Sequence, residues 1–442
     1  MHSASERSPL PPAPIDPAIN RVKRFLAIES ASGVLLLVAA AVALGIANSP
    51  WAEAYMAFWN THLRIALGPW AIDESLLHWV NDGLMTVFFF VIGLEIKREI
   101  VDGELSDPRK ASLPLMAAIG GMAVPALVYV MLIGSDENAK SGWGIPMATD
   151  IAFVVGFLAL FSNRVPSGLK MLLLALAIVD DIGAILVIAI FYSDGASIPA
   201  VSLAIAGLAV TVACHWLGVR SFAVYLIIGA AVWLAMFHSG IHPTIAGVIL
   251  GLLTPARPML PRVAVLDTVA DAFDGDDEKE VDAHAHLAVV EQLKTVAMET
   301  VSPLERIETA LHPWVAFIIM PLFALANAGV PIDIRAVSHP VAWAVAAGLF
   351  VGKPLGIVLF SWLAVQLRIA ALPLGVNWRM VGAASCLAGI GFTMSLFIAG
   401  LALDDALLSA GKIGTILGSV LSAVVGLSLL HLALGSTRVP QE

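Results

Sequence analysis

The sequence predicts an all-α integral membrane protein with about twelve transmembrane helices, and three observations support this fold class. Hydrophobic residues make up 59% of the 442-residue chain, while charged residues make up only 13%. The mean hydropathy is +0.89. A soluble domain is roughly a quarter charged and about half apolar. Apolar runs of about 20 residues, long enough to cross the hydrocarbon of a bilayer, recur along the chain.

Breaks at glycine, proline and charged residues divide these runs into two membrane blocks, 25–254 and 311–434. Of the lysines and arginines, 19 fall on the side that holds both termini and 4 on the opposite side. This asymmetry predicts that both termini are cytoplasmic. The predicted spans lie near 27–48, 79–97, 111–133, 144–162, 168–192, 198–217, 221–237, 240–254, 313–330, 341–366, 380–402 and 412–434.

Four segments are predicted to lie outside the membrane. Residues 1–24 and 435–442 form polar cytoplasmic tails, and 49–78 form an external connection with aromatic residues and room for a short hairpin. Residues 255–310 form a cytoplasmic loop, in which 278–301 has helical spacing. Between 262 and 309 this loop holds 12 acidic and 4 basic residues, so most of the net charge of −10 is local. The remaining chain carries no basic surface of the kind that binds nucleic acid.

An ionisable residue inside a span is costly and is therefore a candidate functional residue. Asp180 and Asp181 lie in the middle of the run LLLALAIVDDIGAILVIAI. Neighbouring helix positions point about 100° apart, so both carboxylates can face a cavity, but in different directions. A purely structural pairing with a basic residue on another span explains one aspartate well and two poorly.

A second candidate lies in WGIPMATDIAFVVGF, where Thr149 and Asp150 follow Pro146. Proline removes a backbone donor and disturbs the preceding turn. An unwound stretch at this depth is tolerated only where it lines a cavity or packs on protein. An ordinary kinked helix, with Asp150 near the interface, is an equally good interpretation of these residues alone.

Lys353 is central in the tenth predicted span, and a buried anion is needed to balance its charge. The mid-span aspartates are the candidates, either as a structural ion pair or as part of a switch.

Gly389, Gly391 and Thr393 weaken the middle of the eleventh predicted span. Close helix packing explains such small residues equally well. A pair of interrupted spans in separate halves, however, points to a transporter site.

The second predicted span carries charge at both ends. Asp82 lies near its outer end, and Glu95, Arg98 and Glu99 lie at its inner end. Anchoring at the interface accounts well for Arg98. A role for the acidic residues at the mouths of a pathway is a second hypothesis.

Together these residues favour exchange of small cations. Carboxylate, hydroxyl and carbonyl oxygens are the ligands that hard cations prefer. Burial and a neighbouring like charge favour the protonated form of a carboxylic acid. The same aspartates can therefore bind either protons or sodium. This competition yields exchange if the site opens to each side in turn, and it needs no cofactor beyond the transported ions.

The chain resembles the NhaA family of bacterial sodium/proton antiporters through a series of motifs in the family's order. They are NDGLMTVFFFVIGLEIKRE, AAIGGMAVPAL, PMATDIAF, LALAIVDDIGAI, HPTIAGVILG, LHPWVAFIIMPLFALANAGV, GKPLGI and GIGFTMSLFIA. They extend over nearly the whole membrane portion, and as a set they are highly specific.

The resemblance implies twelve helices with inverted-topology repeats and two discontinuous helices that cross at mid-membrane. It implies electrogenic export of Na+ or Li+ in exchange for H+, a homodimer in the inner membrane held partly by 49–78, and activation at alkaline pH. It makes Asp180 and Asp181 the ion- and proton-binding pair, places Asp150 and Thr149 at the first break, and identifies Lys353 as the buried lysine. The family positions linked to the two funnels fall on Asp82, Glu95, Arg98 and Glu99.

The sequence departs from the family's pattern in two places. The family's pH-responsive stretch before LHPW often carries a histidine after its glutamate, whereas Thr309 follows Glu308 here. The loop 255–310 is also longer and more acidic than in the type member. Both departures bear on the pH set-point rather than on the transport site.

Rival functions are a sodium-coupled symporter on the same fold, an intramembrane aspartyl protease and a passive channel. A symporter needs a further polar cluster to line a cavity for its solute, and the spans hold none that stands out. The protease needs two aspartates on different spans in a YD and GxGD pattern, and no GxGD occurs in the chain. Buried titratable ligands suit exchange better than free flow through a channel.

Overall fold

The computed structural model describes residues 29–67, 70–159, 161, 164–193, 195, 197–219, 221–258, 260, 261, 263 and 283–435. The predicted tail 1–24, most of the tail 435–442 and the acidic stretch 264–282 lie outside the described residues. The α-helices are Glu29–Ala47, Ala52–Trp59, Leu76–His78, Met85–Val101, Pro108–Ile133, Glu137–Lys140, Ile151–Ala159, Ser167–Phe191, Ile198–Trp216, Phe222–Phe237, Thr244–Leu253, Ala283–Glu299, Pro303–Trp314, Met320–Asn327, Ile334–Ser338, Pro340–Ala347, Lys353–Gln366, Trp378–Ala388, Phe392–Ala402 and Asp405–Gly435. Turns of π-helix occur at Trp79–Leu84, Val315–Ile319 and Gly348–Gly352, and 3-10 turns at Glu104–Ser106 and Ser141–Met147.

Every predicted span contains a helix. Within the described residues, 7 helices are long and apolar enough to cross a membrane, or up to 9 if each bent pair forms one span. Two further apolar helices, Phe222–Phe237 and Thr244–Leu253, are shorter than such a crossing requires. The chain is therefore a mostly helical, multi-pass membrane protein.

The predicted external connection 49–78 contains a two-stranded antiparallel hairpin, which the sequence had allowed for within an otherwise all-α prediction. Strands His62–Leu67 and Trp70–Ser75 pair in a register that sets His62 opposite Ser75. The Trp79 indole donates a hydrogen bond to the Leu63 carbonyl at 3.2 Å. The hairpin is thereby attached to the start of the second predicted span.

The ninth helical run begins at Pro303, well before the predicted start at 313. Ser302 caps it, since its hydroxyl accepts the backbone N–H of Glu305 at 3.2 Å. Proline in the first turn loses no hydrogen bond, because the first N–H groups of a helix have no partner within it. Apolar periodicity missed this start because the first two turns are polar.

Two layers of packing position the candidate site. The helix Pro108–Ile133 packs against both Ser167–Phe191, which carries the two aspartates, and Lys353–Gln366. In a second close contact, the helix Thr244–Leu253 packs along Met85–Val101. That second contact is backbone against backbone, because a methyl group on Gly251 would lie 2.9 Å from the Gly93 Cα.

We expect Gly251→Ala to destabilise the protein by about 1–3 kcal/mol, because the added methyl group forces two tightly packed helices apart. The measurement is the thermal unfolding midpoint in detergent. Gly400→Ala is the matched control, since a methyl group there meets no atom within 4 Å. Equal midpoints for the two variants would contradict the close packing.

Candidate functional site

Two interrupted helices meet at their breaks. The first runs over Glu137–Ala159 and loses helical geometry at 148–150, just after the 3-10 turn that contains Pro146. The second is interrupted between Ala388 and Phe392, and its halves are bent by 46°. The Asp150 N–H donates to the Ile390 carbonyl at 2.7 Å, so backbone from one break binds backbone of the other.

Gly389 and Gly391 lie within the break in the second helix, whereas Thr393 lies one residue inside its second half. A methyl group on Gly389 would lie 2.5 Å from the Leu349 carbonyl, and one on Gly391 would lie 2.9 Å from the Ala148 carbonyl. Glycine is therefore required at both positions, because neighbouring backbone approaches closely. Both interpretations of these residues, close helix packing and an interrupted span, thus apply.

Asp150 caps the N-termini of both second halves. Its Oδ1 accepts the N–H of Ala152 at 3.1 Å and of Phe153 at 3.4 Å, in its own helix. Its Oδ2 accepts the N–H of Thr393 at 3.0 Å and also the Thr393 hydroxyl. The N-terminus of a helix carries partial positive charge, so the carboxylate stabilises two such ends at once.

Thr149 joins the first break to the aspartate pair. Its hydroxyl lies 2.6 Å from Asp180 Oδ2 and 2.9 Å from the carbonyl of Ala388, the last residue of the second helix's first half. The hydroxyl has one hydrogen to donate and two acceptors within reach. Thr149 therefore connects Asp180 to the C-terminal end of a half-helix.

Lys353 forms the ion pair that the sequence requires. Its Nζ lies 2.7 Å from Asp180 Oδ2, and both side chains are fully buried. The same ammonium donates to the carbonyl of Met147, the last residue before the first break. It thus neutralises both a carboxylate and the partially negative C-terminal end of a half-helix.

Asp181 lies in a different environment from its neighbour. It is 2% exposed, and its Oδ1 has no hydrogen-bond partner among the described residues. Asp180 Oδ1 is also buried without a partner there. Buried polar oxygens are almost always hydrogen-bonded, so these two unsatisfied oxygens leave each carboxylate of the pair able to accept a further partner.

At the outer end of the second predicted span, Asp82 meets a histidine from the loop before Thr244–Leu253. The Nε2 of His242 lies 3.5 Å from Asp82 Oδ1, and both side chains are largely buried. The Asp82 carbonyl also accepts the Trp233 indole N–H at 3.1 Å.

At the inner end, Arg98 forms an ion pair with Glu308 from the ninth helical run. Glu99 accepts the N–H of Glu104 at 3.0 Å and so caps a turn. Glu95 is partly buried and has Glu308 and Arg98 as charged neighbours.

The sequence matches known proteins over nearly its whole length. The family model described as Na+/H+ antiporter 1 matches residues 23–430. The Na+/H+ antiporter NhaA of Rhodopirellula baltica is 52% identical over 434 residues, which is 97% of this chain and 98% of that protein. The NhaA of Rhizobium meliloti is 48% identical over 98% of this chain and 99% of its own length. The NhaA 2 of Myxococcus xanthus is 50% identical over 92% of this chain and 88% of its own length.

The chain belongs to the NhaA family of Na+/H+ antiporters. It is therefore a transporter that exchanges Na+ for H+ and not an enzyme. The resemblance inferred from the motifs is confirmed, and neither the symporter nor the protease finds support in these matches.

Sequence reasoning did not predict the contacts of two residues near the candidate site of this NhaA-family protein. His242 stands in the motif HPTIAGVILG, but nothing in that motif predicts its pairing with Asp82. Ser395 lies in the weakened middle of the eleventh predicted span, but the sequence does not predict that its hydroxyl donates to the Ile145 carbonyl at 2.7 Å. Such residues are recognised only when distant segments are brought together.

We expect Lys353→Met to lower the free energy of unfolding by about 3–5 kcal/mol, because it leaves a buried carboxylate without its cation. The double variant Asp180→Asn, Lys353→Met removes both charges and should recover most of that loss. Thermal unfolding in detergent measures the effect.

Lys140→Met serves as control, since Lys140 forms only a partly exposed pair with Glu137 at 3.8 Å. Such surface pairs contribute little to stability. A double variant no more stable than Lys353→Met alone would show that the pair with Asp180 is not the source of the loss.

Proposed function

We propose that Asp180 and Asp181 bind the transported ions of this antiporter, with Na+ or Li+ and H+ competing for the same carboxylates. The observation that carries the proposal is the pair of unsatisfied, buried carboxylate oxygens beside the meeting point of two interrupted helices. Hard cations prefer such oxygen ligands. A proton on a carboxylate neutralises it, and so does a bound sodium ion.

The two aspartates have separate roles in this proposal. Asp180 is held by Lys353 and Thr149. Asp181 has a free oxygen with which to bind an incoming cation. Asp150 and Thr149 hold the breaks in register, so that the peptide groups freed there remain paired. Lys353 balances one negative charge whenever both aspartates are ionised.

Transport follows from this competition when the site opens alternately to the two sides of the membrane. Sodium that binds from the cytoplasm displaces protons inward, and protons that bind from outside displace sodium outward. The cycle exports Na+, and it regulates both internal sodium and internal pH. Its direction is set by the ion gradients and the membrane potential, because no covalent step is involved.

The charged residues at the two mouths guide and regulate ion access. Glu95, Arg98, Glu99 and Glu308 form the cytoplasmic group, and Asp82 lies at the outer funnel. The pairing of Arg98 with Glu308 supports this role, since it connects the end of one span to the start of another. Activation at alkaline pH is the regulation that this group serves.

The proposed architecture comprises twelve spans in the blocks 25–254 and 311–434, with inverted-topology repeats and both termini in the cytoplasm. The two interrupted helices cross at mid-membrane, and the loop 255–310 lies on the cytoplasmic side. The protein resides in the bacterial inner membrane as a homodimer, in which the hairpin in 49–78 takes part. The exposed side chains of Leu63 and Ile65 on this hairpin support such a contact.

We expect Asp181→Asn to reduce sodium-driven proton movement in proteoliposomes at least about 100-fold, because a neutral amide can neither take up a proton nor bind sodium by charge. The measurement is the internal pH change after a sodium pulse. Asp136→Asn is the matched control, since Asp136 caps a helix outside the site and asparagine caps equally well. Exchange by Asp181→Asn at the control's rate would refute the assignment.

We expect transport to be electrogenic, with more than one proton exchanged per sodium ion. If one net charge moves per cycle, each 59 mV of potential, negative inside, should raise the outward sodium gradient about tenfold at equal pH. Clamping the vesicle potential with potassium and valinomycin tests this. A sodium gradient that is independent of the clamped potential would establish one-for-one exchange.

A further inference from the structure

The break in the second interrupted helix has no polar side chain of its own to cap the half-helix that follows. Its residues are Gly389, Ile390 and Gly391, and Gly391 occupies the N-cap position without a side-chain hydrogen bond. The first N–H groups of any helix lack partners within that helix. In a buried position such groups must find acceptors elsewhere in the protein.

Two other elements supply the acceptors. Asp150 Oδ2 accepts the N–H of Thr393 at 3.0 Å. The hydroxyl of Ser419, on the helix Asp405–Gly435, accepts the N–H of Phe392 at 3.2 Å. Ser419 is 4% exposed, so water does not compete for this contact.

The first interrupted helix differs in this respect. There Asp150 itself caps the following half, Ile151–Ala159, through the N–H groups of Ala152 and Phe153. Asp150 thus already accepts from both half-helices. Another first-turn N–H of the second half, that of Phe392, donates to Ser419.

We propose that Ser419 is a positioning residue for ion binding: it holds the start of Phe392–Ala402 in place and thereby keeps Asp150 and Thr149 in register with Asp180. This inference rests on the proposed function of the aspartate pair. Ser419 does not contact the aspartates. It acts through the backbone of the break, to which Thr149 also binds at the Ala388 carbonyl.

The expected effect is on ion affinity rather than on turnover. Without the Ser419 hydroxyl, the Phe392 N–H faces a buried site with its partial positive charge uncompensated. The uncompensated partial charge on this N–H disfavours binding of a sodium ion nearby. It also attracts the Asp150 carboxylate away from its present position. Asp180, Asp181 and Lys353 all remain, so the maximum rate changes less than the apparent KM for sodium.

The test is the sodium dependence of exchange in proteoliposomes of the full chain, at fixed alkaline pH and normalised to reconstituted protein. Ser419→Ala should raise the apparent KM for Na+ about fivefold, the size expected for loss of one helix cap, with a maximum rate within about twofold of the parent. Ser419→Thr keeps the hydroxyl and should restore the parent KM. If Ser419→Ala is not recovered from membranes, Ser419→Cys retains a weaker acceptor and should give an intermediate KM.

Ser422→Ala is the matched control. Ser422 lies one turn further along the same helix, is fully buried beside Gly389, and its hydroxyl has no hydrogen-bond partner among the described residues. Its removal should leave the KM unchanged. An unchanged KM in Ser419→Ala, an equal rise in Ser422→Ala, or no rescue by Ser419→Thr would overturn the inference.

These outcomes are separable from failure of the proposed function. If Asp181→Asn exchanges like the parent, the ion-binding assignment itself fails. If Asp181→Asn is inactive while Ser419→Ala keeps the parent KM, the aspartate site stands and only the role of Ser419 is lost.

Discussion

The structure depends on compensation of charge among groups that are almost completely buried. Interrupting two helices creates four helix ends, each with a partial charge, and a side chain compensates the charge at each end. Lys353 donates to the carbonyl of Met147, and Thr149 donates to that of Ala388. Asp150 accepts N–H groups at the two N-terminal ends. Because Lys353 and Thr149 also contact Asp180, the proposed ion site and the helix breaks form one electrostatic unit.

The two aspartates show how sequence neighbours acquire different chemistry. Adjacent helix positions diverge by about 100°, so only one of them can face the lysine helix. Asp180 takes the lysine and the threonine hydroxyl, whereas Asp181 keeps an unsatisfied oxygen. A site with one fixed and one open carboxylate can exchange its cation without losing the ion pair that stabilises it.

The sequence predicted the membrane class, the helix-bearing runs and the pairing of Lys353 with a mid-span aspartate, because hydrophobicity and buried charge are local signals. It did not locate the breaks from spacing alone. The runs around Asp150 and Ile390 are apolar enough for continuous helices, and each break is stabilised by partners in the other. The helix start at Pro303 was likewise obscured, because its first two turns are polar, whereas a short hairpin in 49–78 was already allowed for.

The contact between Asp150 and Thr393 has a consequence for biogenesis, because 243 positions separate the two residues. A ribosome adding about 5–20 residues per second needs roughly 10–50 s to synthesise that interval. Throughout this delay the early spans carry acidic side chains whose final partners do not yet exist. Insertion machinery must therefore tolerate an unfinished, polar intermediate until the penultimate helix emerges and completes it.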